Sequence, residues 1–370
     1  MTRPQVLVNV AAALQERGAP TDTGVAFMVY AGATGSTTPV DCYSKTDALA
    51  SLAPDAIATY VGDALTQGAP KVTLLRAAAV DASAVTQAEW ATALAMLTID
   101  LGPGQVLIPG ITTTAAHDAL LAHGAATGRC VLLDAAEDAA AADIATLAVS
   151  LAAAAGSTNA GLIAGWSVFP TTSGATRVVP GSVIAAGLCG RGDAAAGHAN
   201  NAPAADQGRG AGYVHGASTL SVLYSDSDHD TLNDAGVCVF RVYLGQPQLY
   251  GWVSLSTDPN YRQLNWGRMA MQLRAGIAAA ASTFLFRQID AQGFLYSELA
   301  GMLRGYLAPL WAAGALFGTS AADAFGVDVA GVNTPSTVAA GELHAAVDAS
   351  LSPHTEKVVI DVVTNIAQGA

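Results

Sequence analysis

Cys130-Val131-Leu132-Leu133-Asp134, then Asp143 to Ala153, then Gly161-Leu162-Ile163-Ala164-Gly165-Trp166, is the stretch whose reading decides the fold. The first and third pieces are short, unbroken apolar runs. Strands of that kind are buried on both faces, so they belong in a parallel sheet with helices above and below. The piece between them has the length and spacing of the crossover helix that joins two parallel strands.

The same alternation extends outward in both directions. Val25-Ala26-Phe27-Met28-Val29-Tyr30 reads as a strand, Ser44 or Thr46 as the cap of a short helix, Ile57 to Leu65 as a helix and Val72-Thr73-Leu74-Leu75-Arg76 as a strand. Thr86 with Glu89 three residues later forms a capping box ahead of Trp90, Leu94 and Leu97. Val106-Leu107-Ile108-Pro109 is a short strand, and Thr113 or Thr114 opens a helix through His117, Leu120 and Leu121. Pro180-Gly181-Ser182 starts a further helix, and the glycine-rich stretch from Gly187 to Gly216 reads as a long loop. Downstream, Val237 to Tyr243 and Leu249 to Leu255 read as paired strands around Gly245-Gln246-Pro247, followed by helices over Leu264 to Phe286 and Gly293 to Trp311. Both chain ends carry isolated strand patterns. Val6, Val8 and Val10 alternate near the start, and Val358, Ile360 and Val362 stand in an apolar run near the end.

Composition narrows the function. The chain has 370 residues, 52% hydrophobic and only 12% charged, which excludes a disordered chain and allows two or three domains. Its formal net charge of -13, from 16 basic and 29 acidic side chains, repels a phosphate backbone and argues against nucleic acid as a partner. Few charges beside so much apolar content point to a surface covered by other subunits. The longest apolar candidate, Leu147 to Ile163, is interrupted by Ser150, Gly156, Ser157, Thr158 and Asn159 and makes a poor membrane span. Met1-Thr2-Arg3-Pro4 leads into no long apolar run, so no secretory signal is expected. Cys42, Cys130, Cys189 and Cys238 lie far apart without a C-x-x-C pair and read as reduced, buried thiols.

Catalytic and ligand motifs fail where they are specific. Asp226, Asp228 and Asp230 resemble the start of a calcium loop, but its sixth and twelfth positions are Thr231 and Val237, so a solvated acidic loop is expected. His117, Asp118 and His123 lack the spacing and the extra ligands of a metal site. Gly216-Ala217-Ser218-Thr219-Leu220 lacks the last glycine of a nucleophile elbow, and Gly208, Gly210 and Gly212 precede no G-K-[ST]. No catalytic residue, metal or cofactor is expected. The helix from Leu264 carries Arg262, Arg268, Arg274 and Arg287 within an acidic chain; these arginines are ordinary solubilising charge or pair within the chain, or else they face a partner.

One order of pieces goes further. Leu232-Asn233 and Gly236-Val237-Cys238 come first, then Tyr250-Gly251-Trp252-Val253-Ser254-Leu255-Ser256, then Tyr261-Arg262-Gln263-Leu264-Asn265-Trp266-Gly267-Arg268. The run Leu307 to Leu316 closes the series, with Val179-Pro180-Gly181-Ser182 and Asn201-Ala202-Pro203-Ala204 upstream. This order resembles the contractile-tail sheath proteins of phages and related injection machines, with Val253 and Gly267 standing where that family has arginines.

The resemblance implies a non-catalytic, subtilisin-like parallel-sheet α/β domain with an α+β C-terminal domain and extended terminal β arms. The division expected is an N-terminal arm (1–22), an α/β segment packing on the core (23–84), the sheath domain (85–225), the C-terminal domain (226–350) and a C-terminal arm strand (351–370). Val6, Val8, Val10, Val358, Ile360 and Val362 would make the inter-subunit arm contacts, because an unpaired strand finds its partner on a neighbour. Gly18, Pro20, Pro335 and Pro353 would supply hinges. Arg262, Arg268 and Arg274 would face the tail tube. The implied partners are the chain itself in stacked hexameric rings, the tail tube, and the baseplate and tail terminator proteins, in a virion tail assembled in the host cytoplasm. New interfaces rather than nucleotide hydrolysis would drive the contraction that carries the tube through the host envelope, at about 1 kcal/mol or a few per subunit. Other readings are the sheath of a phage-derived bacteriocin or extracellular injection system, and, in another class, an α/β hydrolase-like enzyme.

Overall fold

The computed structural model describes residues 22–77, 81–203, 212–290 and 292–355. The expected arm strands at Val6, Val8 and Val10 and at Val358, Ile360 and Val362 lie outside these residues. The first part of the chain runs β1 (Ala26–Ala31), β2 (Val40–Cys42), α1 (Lys45–Ala50), α2 (Asp55–Gln67), β3 (Val72–Ala77), α3 (Gln87–Ala95), β4 (Gln105–Leu107), α4 (Thr114–Thr127) and β5 (Cys130–Asp134). It continues through α5 (Ala141–Leu151), β6 (Ala160–Ala164), β7 (Ser167–Pro170), β8 (Thr176–Val179), α6 (Gly181–Ala196), β9 (Thr219–Leu220), α7 (Asp226–Asp234), β10 (Val237–Tyr243) and β11 (Gln246–Leu249). The last part holds α8 (Leu264–Ala281), α9 (Phe294–Ala312), α10 (Ala321–Ala324), β12 (Phe325–Asp328), α11 (Pro335–Ala339) and β13 (Ala346–Ala349).

Eight strands form one sheet in the order β11-β10-β6-β5-β4-β1-β3-β2. The six inner strands are parallel, and β2 and β11 close the edges antiparallel. Side chains alternate between two cores, as a pleated strand requires. Met28, Leu132, Ile163 and Phe240 point to the face covered by α1, α2, α6 and the start of α8. Phe27, Val131, Leu162 and Val239 point to the face covered by α3, α4, α5 and α7. The segment 23–84 contributes the interior strand β1, between β3 and β4, and β10 carries the sheet past residue 226. A second, smaller unit follows, in which α8 and α9 pack on the β12–β13 hairpin around Met269, Leu303, Leu307 and Leu316.

The local start signals act as their chemistry dictates. Ser44 and Thr113 cap α1 and α4, and Thr86 and Glu89 form a reciprocal capping box on α3. Three expectations need correction. The stretch expected as loop from Gly187 is helix as far as Ala196. Its glycines are there because α2 lies against them: a Cβ on Gly187 would fall 2.5 Å from the Ala64 carbonyl oxygen, and one on Gly190 2.5 Å from that of Gly68. The acidic run at Asp226 is helix α7, because Ser225 and Asp228 form a capping box and acidic groups favour a helix N-terminus. The strand expected over Leu249 to Leu255 ends at Leu249; β10 turns at Leu244-Gly245, both at positive φ, and pairs with Gln246–Leu249. All four cysteines are buried as free thiols.

The α2–α6 contact makes a checkable statement. Glycine to alanine inside a helix normally stabilises by about 1 kcal/mol, but Gly187→Ala meets backbone and should destabilise by about 1–3 kcal/mol. Thermal unfolding of the variant will show a lowered midpoint; an unchanged or raised midpoint would mean that the two helices are not in backbone contact.

Candidate functional site where the chain ends leave the fold

Both ends of the described chain start from one buried polar junction, centred on Asp193 in α6. Asp193 accepts from Thr23 Oγ1 at 2.5 Å, from Arg268 Nη2 at 2.6 Å and from Asn201 Nδ2 at 2.8 Å. Thr23 lies just before β1, and its carbonyl accepts from Gln105 Nε2 at 2.8 Å. The backbone beside it passes close to α6, where a Cβ on Gly24 would sit 2.8 Å from Gly190 Cα. The N-terminal root is therefore pinned to α6 by side chain and by backbone.

The C-terminal root is gripped from the same network. Asn200, beside Asn201, donates to the carbonyls of Ala315 at 2.6 Å and Ser352 at 3.1 Å, and accepts from Asn265 Nδ2 at 2.6 Å. Trp266 Nε1 also donates to Ser352 O, at 3.1 Å. The Gln263 amide pairs both ways with the His354 backbone, donating at 2.9 Å and accepting at 2.8 Å, much as a neighbouring strand would. One turn of α8 thus holds the departing chain, and Arg268 on the next turn holds Asp193.

Arg268 and Asp193 form a buried ion pair, with Arg268 wholly inaccessible. Burial works against the guanidinium's charge, but the Asp193 carboxylate outweighs it and holds Arg268 well above the ordinary arginine range. Arg268 therefore cannot face a tube from this conformation, and that expectation is corrected. The reason is a carboxylate 75 residues away in sequence that only the fold brings alongside. Arg262 is half-buried and donates to the carbonyls of Asn233 and Asp234 at the end of α7. Arg274 is exposed on α8, and Arg287 is engaged by Glu298 through two bonds of 2.8 and 2.6 Å. The candidate arginines do not share one surface.

An enzyme reading would look to the C-terminal ends of the parallel strands, where ligands bind in such sheets. There Asp134 accepts from Gly110 N at 2.9 Å, Ser182 N at 2.8 Å and Ser182 Oγ at 2.6 Å. Burial pushes its carboxyl up to about 6 while these donors pull it down. Ser182 is fully buried and gives its proton to a carboxylate rather than to a histidine; the nearby His117 ring bonds the Asp134 backbone carbonyl instead. The cluster ties β5 to the start of α6 and offers no exposed nucleophile. His117 and His123 are both buried in α4, and no group of three metal-ligating side chains occurs among the described residues. No helix among them is long and apolar enough to cross a membrane.

No family model and no curated protein matches the chain. Solved structures do. The helical sheath of the anti-feeding prophage in its contracted state superposes with a TM-score of 0.73 at 17% identity, covering 99% of this chain and 100% of that one. The contracted sheath of the extracellular contractile injection system PVC gives 0.75 at 16% identity, over 99% and 98%. The sheath tail protein of Desulfitobacterium hafniense gives 0.60 at 12% identity, over 88% and 93%. This chain has the contractile-sheath fold. The likeness runs through the eight-stranded sheet and the smaller unit alike, since almost the whole of both chains is covered. The Asp193 junction, which neither motif nor charge pattern signals in the sequence, holds Thr23 and adjoins the groups that hold Ser352 and His354.

The junction is testable. Asp193→Ala strands a buried guanidinium and should cost about 3–5 kcal/mol, whereas the double variant Asp193→Leu, Arg268→Met should regain most of that. In both variants Thr23 loses its anchor, so limited proteolysis near residue 22 should accelerate even where the unfolding midpoint recovers. Equal stability of the single and double variants would refute the pair's role.

Acid sensitivity is a second expectation. Burial, aided by the charge of Arg129, lowers His123 to about 4. Its folded value lies below the unfolded one, so its contribution is present above pH ~6.5 and is lost as pH falls towards 4, because the unfolded chain takes up the proton first. Relative to His123→Phe, the native chain should lose about 2 kcal/mol by pH ~5. Parallel pH–stability curves for the two chains would contradict this.

Proposed function

We propose that this protein is the structural subunit of a contractile sheath, which polymerises helically around a tube and contracts to drive it through a target envelope. The observation that carries the reading is the end-to-end match to sheaths in the contracted state, with 99% of this chain covered. The polar junction supports it, because a subunit that exchanges terminal strands needs fixed roots for them. In this reading residues 1–22 and 351–370 are arms, with Val6, Val8, Val10, Val358, Ile360 and Val362 pairing across subunits. Residues 23–84 and 85–225 build the sheet body, and 226–350 complete its edge and add the helical unit. Arg262 and Arg274 are left as candidates for a tube contact.

The partners proposed are the chain itself in six-fold rings, a tube protein, a baseplate and a terminator, without nucleic acid, metal or cofactor. A neighbouring structure is a prophage baseplate in six-fold form, which supports the ring proposal. Among kinds of particle, an injection device is favoured over a phage tail. The anti-feeding prophage sheath and the sheath of the extracellular contractile injection system PVC reach TM-scores of 0.73 and 0.75, against 0.60 and 0.58 for the sheath tail proteins of Desulfitobacterium hafniense and Listeria innocua. The proposed location is thus the assembled particle. An enzymatic role is disfavoured by the buried, engaged state of Ser182 and Asp134.

Negative-stain electron microscopy of the purified chain tests the reading. Long hollow cylinders with a regular axial repeat are expected. Removing residues 357–370 should abolish them while the circular dichroism spectrum of the folded body persists. Compact particles at every concentration, even with a tube protein added, would overturn the sheath reading, and unchanged cylinders after truncation would overturn the arm assignment.

A further inference from the structure

A groove of about 660 Å³ opens beside the C-terminal root, between α5, the end of α7 and the start of α8. Its walls are largely apolar, from Val149, Ala152, Leu255, Pro259 and Trp266, and Val149 is two-thirds exposed. Asp234, Asp258 and Arg262 also line it. Gln263 and Trp266 line this groove and also hold His354 and Ser352 as the chain departs. The N-terminal root, by contrast, leaves along α6 at Gly190.

We propose that this groove is a docking site for residues 356–370 of the same chain, occupied before the subunit assembles. The inference rests on the reading of that segment as a strand exchanged between subunits. Such a segment, with Val358, Val359, Ile360, Val362 and Val363 in six positions, would expose a row of apolar side chains in a dilute subunit and invite unspecific pairing. The groove adjoins that root, because Gln263 and Trp266 both line it and hold His354 and Ser352. From Thr355, five residues span about 16 Å when extended, enough to enter a groove whose lining begins at Gln263. The charges of the two sequences also complement one another: the segment carries Lys357 where the groove lining has Asp234 and Asp258, and Asp361 where it has Arg262. Tethering gives the intramolecular contact a high effective concentration, so a weak contact suffices to hold the segment until a neighbour's sheet edge replaces it. Assembly would then begin with release from the groove.

The test uses the full-length chain carrying Thr257→Cys on the exposed groove wall and Ile360→Cys; the four native thiols are buried and do not compete. At concentrations too low for polymers, a short bismaleimide should link the pair within one chain, with a yield independent of dilution. Adding Val149→Asp should lower that yield several-fold and shorten the lag before polymers form. Links only between chains, or none, would overturn the docking proposal. The truncation lacking 357–370 separates this from the wider reading. If it fails to polymerise while no intrachain link forms, docking falls and strand exchange stands. If the intrachain link forms and the truncated chain polymerises normally, docking stands and strand exchange falls.

Discussion

The buried pair of Asp193 and Arg268 is the constraint on which the arrangement of the chain ends depends. Two charges taken out of water are costly unless each meets a partner and further donors. Here the carboxylate has three donors, from Thr23, Asn201 and Arg268, so the penalty is offset and the geometry is specified. That specificity matters more than any net stabilisation. The pair locks α6 to α8, and these two helices carry the groups that hold the N-terminal and C-terminal roots.

The sheet supplies the rigid body to which these roots are fixed. Six parallel strands buried on both faces, with alternating side chains feeding two cores, leave little freedom for internal rearrangement. The glycines of α6 serve the same stiffness, since Gly187 and Gly190 let α2 approach to backbone contact. Asp134, at the C-terminal end of β5, ties that strand to the start of α6. The polar groups of the interior are used to hold positions.

Much of the fold is legible in the sequence because the signals are local. The capping pairs Thr86–Glu89 and Thr113–Ala116, and the unbroken apolar strands, are read from neighbours a few residues apart. Two of the misreadings have a common origin in contacts distant in sequence. Gly187 and Gly190 read as loop because glycine lowers helix propensity, yet the deciding fact is the nearness of α2. Arg268 reads as a surface cation because charge on a helix usually faces water, yet Asp193 meets it in the core. The acidic run at Asp226 reads as solvated loop, although Ser225 ahead of it marks a helix start.

The sequence by itself determined the alternation of strand and helix, the doubly covered parallel sheet, the buried thiols and the lack of a nucleophile or nucleotide motif. Each follows from periodicity, caps and composition over short windows. Only the tertiary structure decided which charges are buried, where the two chain ends leave, and which apolar surface stays open beside them. Those outcomes depend on contacts between residues such as Thr23 and Asp193, 170 positions apart. No local pattern encodes a pairing of that range, because its energy exists only once the sheet and its helices have brought the partners together.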